Sequence, residues 1–237
     1  MPKTTPFNIA IPIYEQVNLF DVASACEMFY WMGYYWKKQA VSLRLVNETG
    51  RPVRTHAGPI LTPDESFETY RRKRLKTHLI WVPGASDETI GKMMGDSVYL
   101  DFVRAQAKHA AYVTSVCEGA LLLATAGLLD GYRATTHWSV VPCLRQFKKV
   151  KVADDYPRYV VDRNRVTGGG VSSGVDESLE IIRLIAGEEI AKQAQVVTQY
   201  FPLPPVMGQI PCDVKCDIDI PPPTKAKPSA KGGLKRR

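Results

Sequence analysis

The residue best placed to do chemistry is Cys117, in the run Ala111-Tyr112-Val113-Thr114-Ser115-Val116-Cys117-Glu118-Gly119-Ala120-Leu121-Leu122-Leu123. A strand-like apolar segment passes there almost directly into a helix-like one. So short a junction forces a tight turn. It puts the turn residue into strained backbone geometry and lifts its side chain above the carboxyl ends of the strands, as in a nucleophile elbow. Gly119, two places on, leaves room for the close approach this requires. A thiol in the first turn of a helix faces unpaired amide groups and the positive end of the helix dipole, which favour the nucleophilic thiolate. The plainer alternative is a small buried hydrophobe. Position argues for the reactive role, because ligands of open α/β sheets bind at such strand ends.

Other residues can complete a site around this thiol. The Glu118 amide points into the same space, and a second amide from Gly84 or Ala85, after the strand ending at Val82, would make an anion-stabilising hole. Asp21, in Val17-Asn18-Leu19-Phe20-Asp21-Val22, follows the first strand. It reads equally as a carboxylate within proton-transfer reach of the thiol or as a helix N-cap. Glu27 competes as the acidic partner but lies deeper in a helix, on a face that suits solvent. His137, beside Trp138, is either a packed, hydrogen-bonded ring or a base.

The elements that must position these residues alternate between two periodicities. Strand-like runs cover 7–14, 41–46, 78–82 and 111–116, and helix-period segments cover 101–110, 120–129 and 175–186. Such alternation implies right-handed βαβ units, hence a single α/β domain with a mainly parallel sheet sandwiched by helices. The charged stretch 64–77 reads as a solvated connection. Thr167–Gly174 holds four glycines without dinucleotide-binding spacing and reads as a tight turn before a helix. After Phe201 prolines exclude continuous helix or central strand. The compact domain is therefore expected over 1–210, and 211–237 as a Pro-rich, basic, disordered tail.

With 237 residues, 45% of them hydrophobic, the chain can bury a sizeable core. Its net charge of +7 owes much to Lys225, Lys227, Lys231, Lys235, Arg236 and Arg237, so a nucleic-acid partner is not expected. The five cysteines are odd in number and sparse, which suits free thiols in a reducing, cytoplasmic setting. Cys26 and Cys143 read as core thiols, and the spacing of Cys212 and Cys216 is not that of a zinc ribbon, so no metal is expected. No apolar run reaches the roughly 18 residues of a membrane span.

Over its first two hundred residues or so, the chain resembles the ThiJ/PfpI family of the class I glutamine amidotransferase-like superfamily. Within it, the similarity is to the branch holding isonitrile hydratases and the amidase-like N-terminal domains of AraC-type regulators. The resemblance rests on the elbow Val116–Ala120, on Ala126-Gly127-Leu128-Leu129-Asp130-Gly131, on Ala134-Thr135-Thr136-His137-Trp138, and on Thr167–Asp176. It implies a flavodoxin-like fold, Cys117 as nucleophile, Asp21 as general acid/base and His137 beside the nucleophile. It also implies a homodimer and a small-molecule substrate with no cofactor. The function implied is a lyase-type hydration of a carbon–nitrogen multiple bond. The alternatives are an amidase-, glyoxalase- or deglycase-like cysteine enzyme, or a ligand sensor like the regulator domains. One position departs from the pattern: Glu118 stands where isonitrile hydratases have threonine. Either it points to solvent, or it reaches into the pocket and changes the substrate.

Overall fold

The computed structural model describes residues 5–221. In chain order the first elements are β1 (Phe7–Pro12), α1 (Leu19–Tyr35), β2 (Val41–Asn47), β3 (Val53–Arg54), β4 (Ile60–Leu61), β5 (Glu65–Ser66) and α2 (Phe67–Arg72). Then come β6 (Leu79–Val82), α3 (Asp87–Met94), α4 (Ser97–Ala107), β7 (Tyr112–Ser115), α5 (Gly119–Thr125) and β8 (Arg133–Ala134). The chain continues with α6 (Val141–Leu144), β9 (Lys151–Val152), β10 (Tyr159–Asp162), β11 (Arg165–Gly168), α7 (Ser173–Ala186) and α8 (Glu188–Val197).

Seven strands form the central sheet in the order β10-β11-β7-β6-β1-β2-β5. All its pairings are parallel except the β10–β11 hairpin at one edge. The central strands read as continuous apolar runs because both their faces are covered: every residue of β6 (LIWV) is buried, and so are five of the six in β1. α1, α7 and α8 pack together as one group of flanking helices and α3, α4 and α5 as another. Trp81 on β6, fully buried, meets Phe29 of α1 edge-on, and Phe67 stacks on Phe102 at 3.9 Å between α2 and α4. The expected mainly parallel, helix-flanked sheet is thus the one observed.

The stretch 64–77 is more than a solvated link. Glu65 is buried and pairs with Arg44 and Lys73, and Phe67 and Tyr70 enter the core while Arg71, Arg72 and Arg74 stay exposed. Among the described residues no helix is long and apolar enough to cross a membrane.

The cysteines depart from expectation. Cys143 of α6 and Cys216 form a disulfide across 73 residues, leaving Cys26, Cys117 and Cys212 free. Parity and sparse spacing pointed to five free thiols because nothing local brings 143 and 216 together. The bridge also carries chain assigned to the tail back onto the domain: Ile218 is buried, and Cys216 and Ile220 pack against the core. Residues 222–237 lie outside the described residues.

Candidate active site

Cys117 occupies the link between β7 and α5, with φ at +58°. For a residue with a side chain that conformation costs on the order of 1–3 kcal/mol and persists only where the surroundings enforce it. Both of its backbone polar groups are tied down. Its amide donates to Gly169 O at 2.8 Å, and its carbonyl accepts from Thr136 Oγ1 at 2.8 Å. The turn also presses against the neighbouring strand, for a Cβ at Gly119 would collide with the Val82 carbonyl. Glycine is required there by that approach.

Asp21 reaches this elbow from the first turn of α1. The helix is capped by Asn18, whose side chain accepts from the Phe20 amide at 3.1 Å, so Asp21 is released from capping. Its Oδ2 accepts from the Gly84 amide at 2.8 Å, its own carbonyl accepts from Trp81 Nε1 at 2.9 Å, and the residue is fully buried. This corrects the expected anion hole: the Gly84 amide is already filled by a side chain of the protein. Ala85, also buried, is bridged to Val17. Gly84 is nonetheless indispensable in shape, because a Cβ there would lie 2.5 Å from Glu118 Oε2 and 2.9 Å from Cys117 Cβ.

Glu118 turns inward. It is only 7% exposed, and its carboxylate lies within 4.8 Å of both the Cys117 thiol and a His137 ring nitrogen. Both the carboxylate and the backbone amide of Glu118 act on the sulfur, the first favouring the protonated thiol and the second opposing it. Of the two orientations left open by the sequence, this is the one that reaches the thiol.

The electrostatics follow from burial. Desolvation, followed by the charges of Asp21 and Glu118, pushes the Cys117 thiol well above its usual range, outweighing the helix-terminal amide that acts the other way. Burial therefore favours the thiol, against the thiolate that the helix-terminal position favours. Desolvation also holds Asp21 well above the carboxylate range, against the Gly84 hydrogen bond. Glu118 is raised to about 7, again mainly by desolvation. Burial thus raises both carboxyl groups beside the thiol toward their protonated forms, Glu118 to about 7.

His137 stands at the edge of the cluster. Its Nδ1 is 2.6 Å from Ser139 Oγ and 3.6 Å from Glu118 Oε1, and its ring packs on Gly170. Burial lowers its pKa, so at neutral pH it is an uncharged ring beside Glu118. It also lines a cavity of ≈ 460 Å³ with Thr136, Gly169, Gly170, Phe20 and Ile210. Cys117, 1% exposed, lies behind that wall. Glu27 is exposed and accepts from Trp31 Nε1, far from these roles.

Sequence reasoning missed two features here. Glu177 on α7 is fully buried with both carboxylate oxygens unpartnered, within electrostatic reach of Asp21. Its place in the apolar-period helix gave no signal. Cys117, Glu118 and His137 also make a set of sulfur, oxygen and nitrogen donors that could hold a metal ion, although their spacing forms no ligand motif.

A mainly parallel sheet between helices, with a buried cysteine held at positive φ where the central strands end, defines an α/β protein of the cysteine-elbow class. The DJ-1/PfpI family pattern matches residues 8–184, and the chain belongs to that family. It is similar to the isonitrile hydratase of Pseudomonas putida, with 39% identity over 165 residues, covering 70% of this chain and 68% of that one. A THiJ/PfpI family protein from Pseudomonas syringae superposes with a TM-score of 0.76 at 32% identity, over 86% of this chain and 79% of that one. The HTH-type transcriptional regulator GbdR of Pseudomonas aeruginosa is 33% identical over 94 residues, which span 39% of this chain and 25% of the regulator.

Proposed function

We propose that the protein is a cysteine-dependent hydratase for a small substrate with a carbon–nitrogen multiple bond, an isonitrile being the best-supported class. The observation that carries this reading is the pair of buried carboxyl groups at one thiol: Glu118, whose carboxylate lies within 4.8 Å of the sulfur, and Asp21, held on the Gly84 amide. Burial raises both groups, and two carboxyl groups placed at one thiol can supply an acid and a base together. The identity to an isonitrile hydratase supports the substrate class.

In this reading the thiol proton passes to ionised Glu118 as the Cys117 sulfur bonds to the terminal isonitrile carbon. Asp21 delivers its proton to that carbon, giving a thioimidate. Water then adds to the same carbon, returning a proton to Asp21, while Glu118 gives its proton to the nitrogen. The C–S bond breaks, the hydroxyl proton returns through Glu118 to sulfur, and an N-substituted formamide leaves. Every group ends in its starting state, so no cofactor enters the balance. His137, neutral and between cavity and thiol, positions Glu118 and controls approach to the sulfur.

The test is formamide formation from cyclohexyl isocyanide, followed by nuclear magnetic resonance. Formamide above the uncatalysed background is expected. No formamide while Cys117 is chemically a free thiol ends this assignment.

A further inference from the structure

The donors gathered at the elbow have a second use. Cys117 Sγ, a Glu118 carboxylate oxygen and a His137 ring nitrogen all lie within 4.8 Å of one another. Ligand atoms around a tetrahedral zinc, with bonds of about 2.0–2.3 Å, sit roughly 3.3–3.8 Å apart. The Glu118–His137 edge, at 3.6 Å, already falls in that interval, so movement is needed mainly on the sulfur side. The same nitrogen lies 2.6 Å from Ser139 Oγ and accepts from the Ser139 amide at 3.4 Å, so coordination through it exchanges both contacts for the metal.

A second observation is an unmatched buried polar atom beside the same donors. Asp21 Oδ1 is fully buried without a hydrogen-bond partner, and Asp21 acts electrostatically on both Cys117 and Glu118. Among the described residues, neither Asp21 nor Glu118 pairs with a lysine or arginine; the basic group within reach of Glu118 is the uncharged ring of His137. Buried carboxyl groups are normally paired, protonated or metal-bound.

We infer that Cys117, Glu118 and His137 form a binding site for one divalent cation of borderline softness, zinc above all, which occupies the nucleophile and holds the site inactive. A thiolate, a carboxylate and a neutral imidazole suit zinc better than magnesium or calcium, which take oxygen donors. Binding forms an S–Zn bond and releases the thiol proton to solvent. The sulfur then has no free pair aimed at substrate until the metal leaves. This site uses the same residues as the hydration chemistry but does not depend on it, since metal binding is read without substrate.

Cobalt(II) added to the protein as isolated, in metal-free buffer, provides the readout. Wild type is expected to give a one-to-one thiolate-to-cobalt charge-transfer band that zinc abolishes by displacement, and Cys212→Ser to behave the same. Cys117→Ser loses the band, and Glu118→Gln and His137→Ala each weaken cobalt binding by about tenfold or more. Absence of the band in wild type overturns the site, as does its survival in Cys117→Ser. Unchanged affinity in both Glu118→Gln and His137→Ala likewise overturns it, since binding would then belong to the sulfur alone. Loss of hydratase activity with the cobalt band intact would count against the proposed reaction and leave the metal site standing.

Discussion

The carboxylate of Glu118 lies against the thiol of the residue before it, Cys117, with both side chains buried. Neighbours in sequence seldom face one another. Here they do because Cys117 sits at φ +58°, which swings consecutive side chains into one pocket roofed by Gly84. Burial favours the protonated form of a thiol so placed, and in the proposed reaction its proton passes to Glu118.

Glu118→Gln keeps the shape of the side chain and removes the titration. In wild type kcat/KM should rise with pH through about 7 as Glu118 ionises. In the variant that limb should vanish and activity fall by about 10²-fold or more. The same substitution has a signature in stability. Because the folded-state pKa stands above the ordinary 4.5, the fold favours the proton. That stabilisation is whole below about pH 4.5 and is lost as pH rises through about 7, each tenfold difference in proton affinity between folded and unfolded chain being worth about 1.4 kcal/mol. Urea titrations at pH 5 and pH 8 should therefore differ less for Glu118→Gln than for wild type.

Asp21→Asn leaves an oxygen to accept from the Gly84 amide but no proton to donate to carbon. Turnover should fall by about 10²–10⁴-fold, with the melting temperature preserved or raised, since a buried ionisable group has been removed. A variant that unfolds instead would indicate a structural role, which circular dichroism distinguishes.

Much of the fold and the elbow could be read from residue order. β1, β2, β6 and β7 announce themselves as apolar runs bounded by charge, glycine or proline, and Cys117 stands where strand becomes helix. What could not be read depends on contacts distant in sequence or on a single torsion angle. The inward turn of Glu118 follows from the positive φ of its neighbour. The fate of the Gly84 amide follows from where α1 begins, because Asn18 takes the cap and frees Asp21 to reach Gly84. Cys143 and Cys216 meet only once α6 and the chain beyond α8 are packed.

The Cys143–Cys216 bridge makes a count of thiols decisive. Denatured without reductant, the protein should expose three alkylatable cysteines, Cys26, Cys117 and Cys212, and five after reduction. In chain-entropy terms, closing a loop across 73 residues is worth about 4 kcal/mol. Cys143→Ser should therefore lower the denaturant midpoint measurably and free Cys216 for labelling. Five labelled cysteines before reduction would contradict the bridge.

The central claim is that the substrate carbon becomes bonded to Cys117. Rapid-quench intact mass spectrometry during turnover of cyclohexyl isocyanide, with peptide mapping, tests it most directly. An adduct of one isonitrile mass on Cys117 is expected in wild type, and Cys117→Ala should show neither adduct nor formamide above background. Formamide produced by Cys117→Ala at the wild-type rate, or an adduct mapping to another residue, would contradict the account.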